Sequence, residues 1–162
     1  MSRKCSRIPL VIAIMFLLLF TACIMSTQGP IGPKIKWLTL SRGKEMALAS
    51  EKPCLVDFYY GKGCGRCEKI DEEVYNDPQV AARINSRFVP IRINIAAPLA
   101  PEEKELADRM KSGGECLLMF LDHRGKVVRR SNGPPLCTLE TIGREQFIAI
   151  LDEAEKALEV KK

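Results

Sequence analysis

The chain has 162 residues, 46% of them apolar, enough to close one hydrophobic core but short for two, since domains commonly run to about 100–150 residues. The formal net charge of +5 does not mark a basic surface: Arg3, Lys4 and Arg7 lie within residues 1–22, which hold no acid, and the remainder carries +2. The other Lys and Arg are interleaved with Asp and Glu, and aromatics make up only 6% of the chain, which argues against nucleic-acid binding and reads as a solvated surface.

The N-terminal segment differs in composition from everything after it. A basic stretch leads into the apolar run Leu10 to Phe20, followed by Thr21, Ala22 and Cys23, the layout of a secretory signal. The run is shorter than the roughly 20 apolar residues of a comfortable membrane span. An uncleaved anchor is the alternative; a buried core helix is disfavoured because the run has no polar face. Phe20-Thr21-Ala22-Cys23 resembles the lipobox of bacterial lipoproteins, with Phe20 where Leu is usual. That resemblance implies a signal peptide over residues 1–22 and a lipid on Cys23, which becomes the first residue of the mature chain and is lost to redox work. Residues 24–34, with Gly29-Pro30 and Gly32-Pro33, have breaker chemistry and no apolar period, so 23–34 reads as anchor and linker and 35–162 as the folded domain.

Ile35 to Leu38 suits a short strand, and Ser41 is a candidate cap for a helix running towards Ser50. Leu55 to Tyr60 is apolar apart from Asp57, the pattern of a strand buried on both faces. Cys67, Ile70 and Val74 recur at helical spacing, predicting a helix from Cys64. Asn76-Asp77-Pro78 interrupts it; Asp77 can cap and Pro78 can open a new helix that buries Val80 and Ile84, with Phe88 just beyond. Phe88 to Ile95 is the next strand. Pro101, Glu102 and Glu103 open a helix with Leu106 and Met110 on one face. Cys116 to Leu121, the turn Asp122-His123-Arg124-Gly125 and Lys126-Val127-Val128 read as a hairpin. After the loop Ser131 to Thr141, Phe147, Leu151, Ala154 and Leu158 mark the buried stripe of a closing helix. A crossover unit followed by a hairpin and a packing helix predicts an α/β fold, a mixed central sheet with helices on both faces.

Cys64-Gly65-Arg66-Cys67 follows a buried strand and opens a helix, the setting in which a C-x-x-C pair reads as redox chemistry. At the helix N-terminus unpaired N–H groups and the macrodipole stabilise a thiolate, and Lys62 and Arg66 add positive charge, so Cys64 is the expected nucleophile. Cys67, one turn further in and on the core side, is the expected resolving thiol.

The chain from about Trp37 to Leu158 resembles the thioredoxin superfamily, most closely the C-terminal domain of the thiol:disulfide interchange protein and small thioredoxin-like lipoproteins. The resemblance rests on Lys52-Pro53-Cys54-Leu55-Val56-Asp57-Phe58-Tyr59, on Cys64-Gly65-Arg66-Cys67 and on Val74-Tyr75-Asn76-Asp77-Pro78-Gln79-Val80. It implies a thioredoxin-like fold and makes Asp57 the buried acid that relays a proton to the second cysteine; the other reading of Asp57 is a carboxylate satisfied by hydrogen bonds at a strand end. It also places the substrate groove at Gly114, Glu115 and Cys116. Two departures stand out: Gly63 precedes the first cysteine where the family usually has Trp, in a loop one residue longer, and Glu115 stands where the family has a cis-proline that shapes the groove and helps exclude metal.

Among the other cysteines, Cys54 reads as a small buried thiol at the far end of its strand. Cys116 begins the antiparallel neighbour of the strand from Leu55 to Tyr60, so it should lie at the same sheet end as Cys64, and Cys137 follows the last strand, which runs back towards that end. Three readings are open: a structural Cys116–Cys137 disulfide, permitted by an oxidising compartment; two free thiols; or a four-thiolate metal site with Cys64 and Cys67. His123 reads as a solvated turn residue, Trp37 as a packing anchor, Met110 and Met119 as core filler. The expected function is a thiol:disulfide oxidoreductase acting on protein disulfides or dithiols outside the cytoplasm, on the periplasmic side or at the cell surface, membrane-anchored, without cofactor or metal, exchanging electrons with a partner protein. A thiol-rich metal carrier and a redox-inactive interaction module are the alternatives.

Overall fold

The computed structural model describes residues 32–112, 117–131, 133–138 and 142–159. The expectations for the signal segment, Cys23 and most of the linker, for Gly114, Glu115 and Cys116, and for the side chain of Met110 lie outside the described residues. The unit beginning at Gly32 runs α1 (Leu40–Ser50), β1 (Cys54–Tyr59), α2 (Gly65–Ile70), a π-helical turn (Asp71–Tyr75), α3 (Pro78–Arg87), β2 (Val89–Asn94), α4 (Pro101–Ser112), β3 (Leu118–Leu121), β4 (Cys137–Thr138) and α5 (Arg144–Glu159).

The sheet has the order β2-β1-β3-β4. Strands β1 and β2 are parallel, with Cys54 opposite Val89 and Asp57 opposite Arg92, while β3 runs antiparallel to both β1 and β4. Because strand side chains alternate in direction, β1 divides its residues between two cores. Val56 and Phe58 pack with Leu40 and Ala47 of α1 and Leu106 of α4; Leu55 packs with Val74, Val80, Ile84, Phe147 and Leu151 from the helices of the other face. Each of these side chains is 5% exposed or less, and full burial of a Leu or Phe is worth about 1.5–3 kcal/mol.

Helix starts follow the expected chemistry at Asp77, whose carboxylate accepts from the N–H groups of Gln79 and Val80 at 2.8 and 2.9 Å with Pro78 in the first helical position. Those backbone bonds and the Arg144 guanidinium hold its carboxyl below the ordinary range. In α1 the cap is Thr39 rather than Ser41: the buried Leu40 is already helical, and the Gly43 N–H donates to the Thr39 carbonyl at 2.9 Å.

Two strand expectations are corrected. Of Ile35 to Leu38, only Leu38 pairs, bridging to Ile91 on the outer side of β2. The Asn85 side chain instead takes the backbone of the preceding residues, accepting from the Lys36 N–H at 3.0 Å and donating to the Lys34 carbonyl at 2.9 Å. In the hairpin, Lys126 to Val128 makes a single bridge, Val127 to Leu121, and the ladder beside β3 is completed by Cys137–Thr138. The Asp122 carboxylate gathers the N–H groups of Arg124 and Lys126, both at 2.9 Å, which curls the turn, and the Val128 carbonyl is then taken by the Leu136 N–H. Cys137 therefore opens the last strand, opposite Met119, rather than following it.

Candidate active site

The end of β1 turns into α2 through Tyr60-Gly61-Lys62-Gly63. Gly61 and Gly63 have φ of 85° and 84°, a region that L side chains enter only with strain. No atom lies within 4 Å of a Cβ built on Gly63, so conformation rather than space requires glycine before the first cysteine of this lengthened loop. Cys64 is the N-cap of α2, with extended backbone, and its Sγ accepts from the Cys67 N–H at 3.2 Å. Glu68 reaches back to the Gly63 N–H at 3.1 Å. Two N–H groups at the helix start are thereby satisfied, one of them by the sulfur itself.

Cys64 and Cys67 are joined by a disulfide, their Cα atoms 5.2 Å apart. Cys64 is half-buried; Cys67 is 6% exposed and also accepts from the Tyr60 N–H at 3.5 Å. Arg66 lies on the outside with its guanidinium 5.6 Å from the centre of the exposed Tyr60 ring.

Behind the disulfide, Asp57 and Cys67 line one small cavity of about 20 Å³ together with Arg66, Ile70 and Leu118, room for a single water. Asp57 is 5% exposed and lies within β1 rather than at its end. Its Oδ2 accepts from Arg92 Nε at 2.7 Å and its Oδ1 from the Tyr75 hydroxyl at 3.3 Å. Burial pushes its carboxyl up to about 6 against the pull of Arg92, and burial likewise holds the Tyr75 phenol well above its usual range. Arg92 also donates to Asp71 Oδ1 at 2.7 Å, and its guanidinium lies 4.3, 4.9 and 5.4 Å from the ring centres of Trp37, Tyr59 and Tyr75.

Arg92, Asp71 and Tyr75 were not identifiable as site residues from helical period or motif. One signal was present: an ionisable residue interrupts each of two apolar strands at its fourth position, and parallel pairing puts the two opposite each other. The π-helical turn, a form often found at functional sites, carries Asp71 to Arg92 and Tyr75 to Asp57.

Cys54 is the one free cysteine among the described residues, its thiol pushed up to about 12 by burial and by the charge of Asp122; it starts β1, away from Tyr60 and the reactive pair. Cys137 is disulfide-bonded, and Cys116, its expected partner, lies outside the described residues. Trp37 packs edge-on against Tyr75, ring centres 5.1 Å apart, Met119 is buried, and His123 sits half-buried in the hairpin turn, accepting from Arg124 Nε at 3.2 Å. No group of three or more potential metal-binding side chains is assembled among the described residues.

A disulfide that caps a helix at the end of a central strand, one sulfur half-buried and the other buried beside an acid, defines a thioredoxin-type thiol–disulfide domain. The chain belongs to the thioredoxin-like domain family, whose model matches residues 40–154. A 90-residue stretch is 27% identical to the thiol:disulfide interchange protein DsbD of Photorhabdus laumondii, covering 54% of this chain but only 15% of that relative. Among solved structures, a DsbH oxidoreductase superposes with a TM-score of 0.56 at 16% identity over 82% of this chain and 92% of that one. A thioredoxin from Thermus thermophilus gives 0.55 at 22% identity, covering 74% and 85%.

Proposed function

We propose that the protein is a thiol:disulfide oxidoreductase that works on protein disulfides or dithiols outside the cytoplasm, tethered to a membrane through its N-terminus. The observation that carries the redox reading is the Cys64–Cys67 disulfide at the start of α2, with Cys67 buried against the Asp57 cavity. Cys64, the more accessible sulfur, initiates attack as a thiolate held by the helix N-terminus. Cys67 resolves the resulting mixed disulfide, and Asp57 takes part by exchanging a proton with it through the cavity. The relative with 27% identity is named for thiol:disulfide interchange, which agrees with this chemistry; its substrates and partners extend to this chain only as part of the proposal.

The tether rests on the sequence alone: a basic stretch, an apolar run and Phe20-Thr21-Ala22-Cys23. No helix among the described residues is long and apolar enough to cross a membrane. A single lipid chain anchors only marginally, and a second attachment would strengthen the hold of Cys23. Gly114, Glu115 and Cys116 complete the proposed substrate groove, with Glu115 beside the reacting sulfur.

The redox reading is tested with cysteine variants incubated with an oxidised protein substrate. Cys67→Ser is expected to accumulate mixed disulfides visible on non-reducing gels, and Cys64→Ser to accumulate none. Trapping by Cys64→Ser instead would reverse the roles, and trapping by neither would remove the redox function. Mass spectrometry of the mature N-terminus tests the tether; an unlipidated, fully soluble product would exclude it.

A further inference from the structure

Resting on the thiol–disulfide reading, we infer that Arg92 and Asp71 are positioning residues for the resolving step: holding Arg92 between two carboxylates lets Asp57 accept a proton from Cys67 without stranding a buried cation. The difficulty they remove is physical. A carboxylate paired only to a buried guanidinium is a poor proton acceptor, because neutralising it leaves the cation unpaired in a low-dielectric site, which is strongly unfavourable. Here Arg92 has a second counter-ion. Its Nε donates to Asp57 at 2.7 Å while a terminal nitrogen donates to Asp71, also at 2.7 Å. Asp71 is 34% exposed against 8% for the Asp57 side chain, so the second carboxylate on Arg92 reaches solvent where the first does not.

Geometry also fixes Arg92 against drifting out with the proton. Trp37, Tyr59 and Tyr75 surround its guanidinium, and cation–π contact holds a partly desolvated cation without needing Asp57. Asp57 is faced by Arg92 from β2, by Asp71 and Tyr75 from the π-helical turn, by Cys67 and Arg66 from α2, and by the uncharged Leu117 and Leu118 across the sheet. Asp71 raises the Asp57 carboxyl and Arg92 lowers it, so the two residues work in opposite directions on one group.

The step balances as follows. With Cys64 in a mixed disulfide, the Cys67 thiol gives its proton to Asp57. Its sulfur forms the bond to Cys64 Sγ as the bond to the substrate sulfur breaks. That sulfur leaves with the electron pair and is protonated from solvent. The cysteine pair is oxidised by two electrons and the substrate disulfide is reduced by two; Asp57 then releases its proton. Running the step backwards describes substrate oxidation.

The test isolates resolution in stopped flow, mixing the full chain, with the Cys64–Cys67 pair reduced, with the aryl disulfide dithiobis(nitrobenzoate). Attack by Cys64 releases one nitrothiobenzoate at a rate that depends on reagent concentration; Cys67 releases a second at a rate that does not. Failure of Cys67→Ser to release one nitrothiobenzoate fewer than the native protein, or survival of a concentration-independent phase in Cys67→Ser, overturns the exchange reading itself. Where that phase behaves as expected, its acid limb in Asp71→Asn is predicted to move to lower pH by roughly one unit, with a slower plateau, and in Arg92→Gln to move to higher pH by a similar amount. Arg92→Lys, which keeps the charge, is predicted to shift less than Arg92→Gln. An Asp71→Asn profile that superimposes on the native one, or shifts of the same sign in Asp71→Asn and Arg92→Gln, overturns the charge-sharing role while leaving the exchange reading intact. Asp71→Asn changes a partly exposed side chain, so the test survives if the Arg92 variants do not fold.

Discussion

The ring of Trp37 lies 4.3 Å from the guanidinium of Arg92 and edge-on to Tyr75, so the segment entering the domain packs against two of the residues that hold Asp57. The Trp37→Ala variant should lose about 2 kcal/mol, below the range for a fully buried ring because Trp37 is half-buried. Urea midpoints measure the loss; an unchanged midpoint would mean that the Trp37 ring is not part of the folded core.

Gly43 offers a sign test. A Gly to Ala change inside a helix ordinarily stabilises by about 0.5–1 kcal/mol. A Cβ at Gly43 would overlap the side chain of Ile91 on β2, and Ile91 is fully buried with nowhere to retreat. Gly43→Ala should therefore destabilise by about 1–3 kcal/mol through overpacking, read as a lower thermal midpoint.

Asp57 gives the stability curve a direction. Burial pushes its folded carboxyl up to about 6, above the ordinary 3.8. Between those values the folded state holds the proton more tightly than the unfolded chain, so this group makes stability fall as pH rises from about 4 to 6, the loss being complete above that range. In Asp57→Asn that contribution is absent, and the stability difference should move in the variant's favour across the window. Denaturant midpoints collected over the window check it; a parallel pair of curves would show that Asp57 titrates alike in both states.

Asp77 runs the other way. Its depressed carboxyl contributes stability that is present above the unfolded value and is lost as pH falls through the folded one. Asp77→Ala removes the α3 cap and the 2.6 Å contact with Arg144, and should cost about 1 kcal/mol at neutral pH, with the gap narrowing in acid.

On the proposed Cys116–Cys137 bridge, replacing either cysteine should lower stability by about 2–4 kcal/mol while disulfide exchange persists. Peptide mapping without reductant is the check; a partner other than Cys116 linked to Cys137 would reassign the bridge.

Local chemistry made much of this legible in the sequence. The Asp77-Pro78 start, the stripe Phe147, Leu151 and Ala154, and the buried run around Val56 each follow from a cap or a period acting over a few residues. The redox pair was legible for the same reason, being a spacing of three in a strand-to-helix setting. Arg92 was not, because it meets Asp57 only through the pairing of strands 35 residues apart. The π-helical turn and the place of Cys137 in β4 likewise depend on tertiary partners: Arg92 and Asp57 for the first, the open side of β3 for the second. Asn85 displaced an expected strand by offering the backbone of residues 34–36 a side-chain partner.

Among the described residues, each outer margin of the sheet is short of free pairing sites. On the β2 side Leu38 exchanges backbone bonds with Pro90 and Arg92, and on the other side β4 has two residues, preceded by Pro134 and Pro135. Long open margins invite strand addition between molecules. A domain built this way can be held at high local concentration, because the described margins offer a neighbouring copy little backbone on which to template an aggregate.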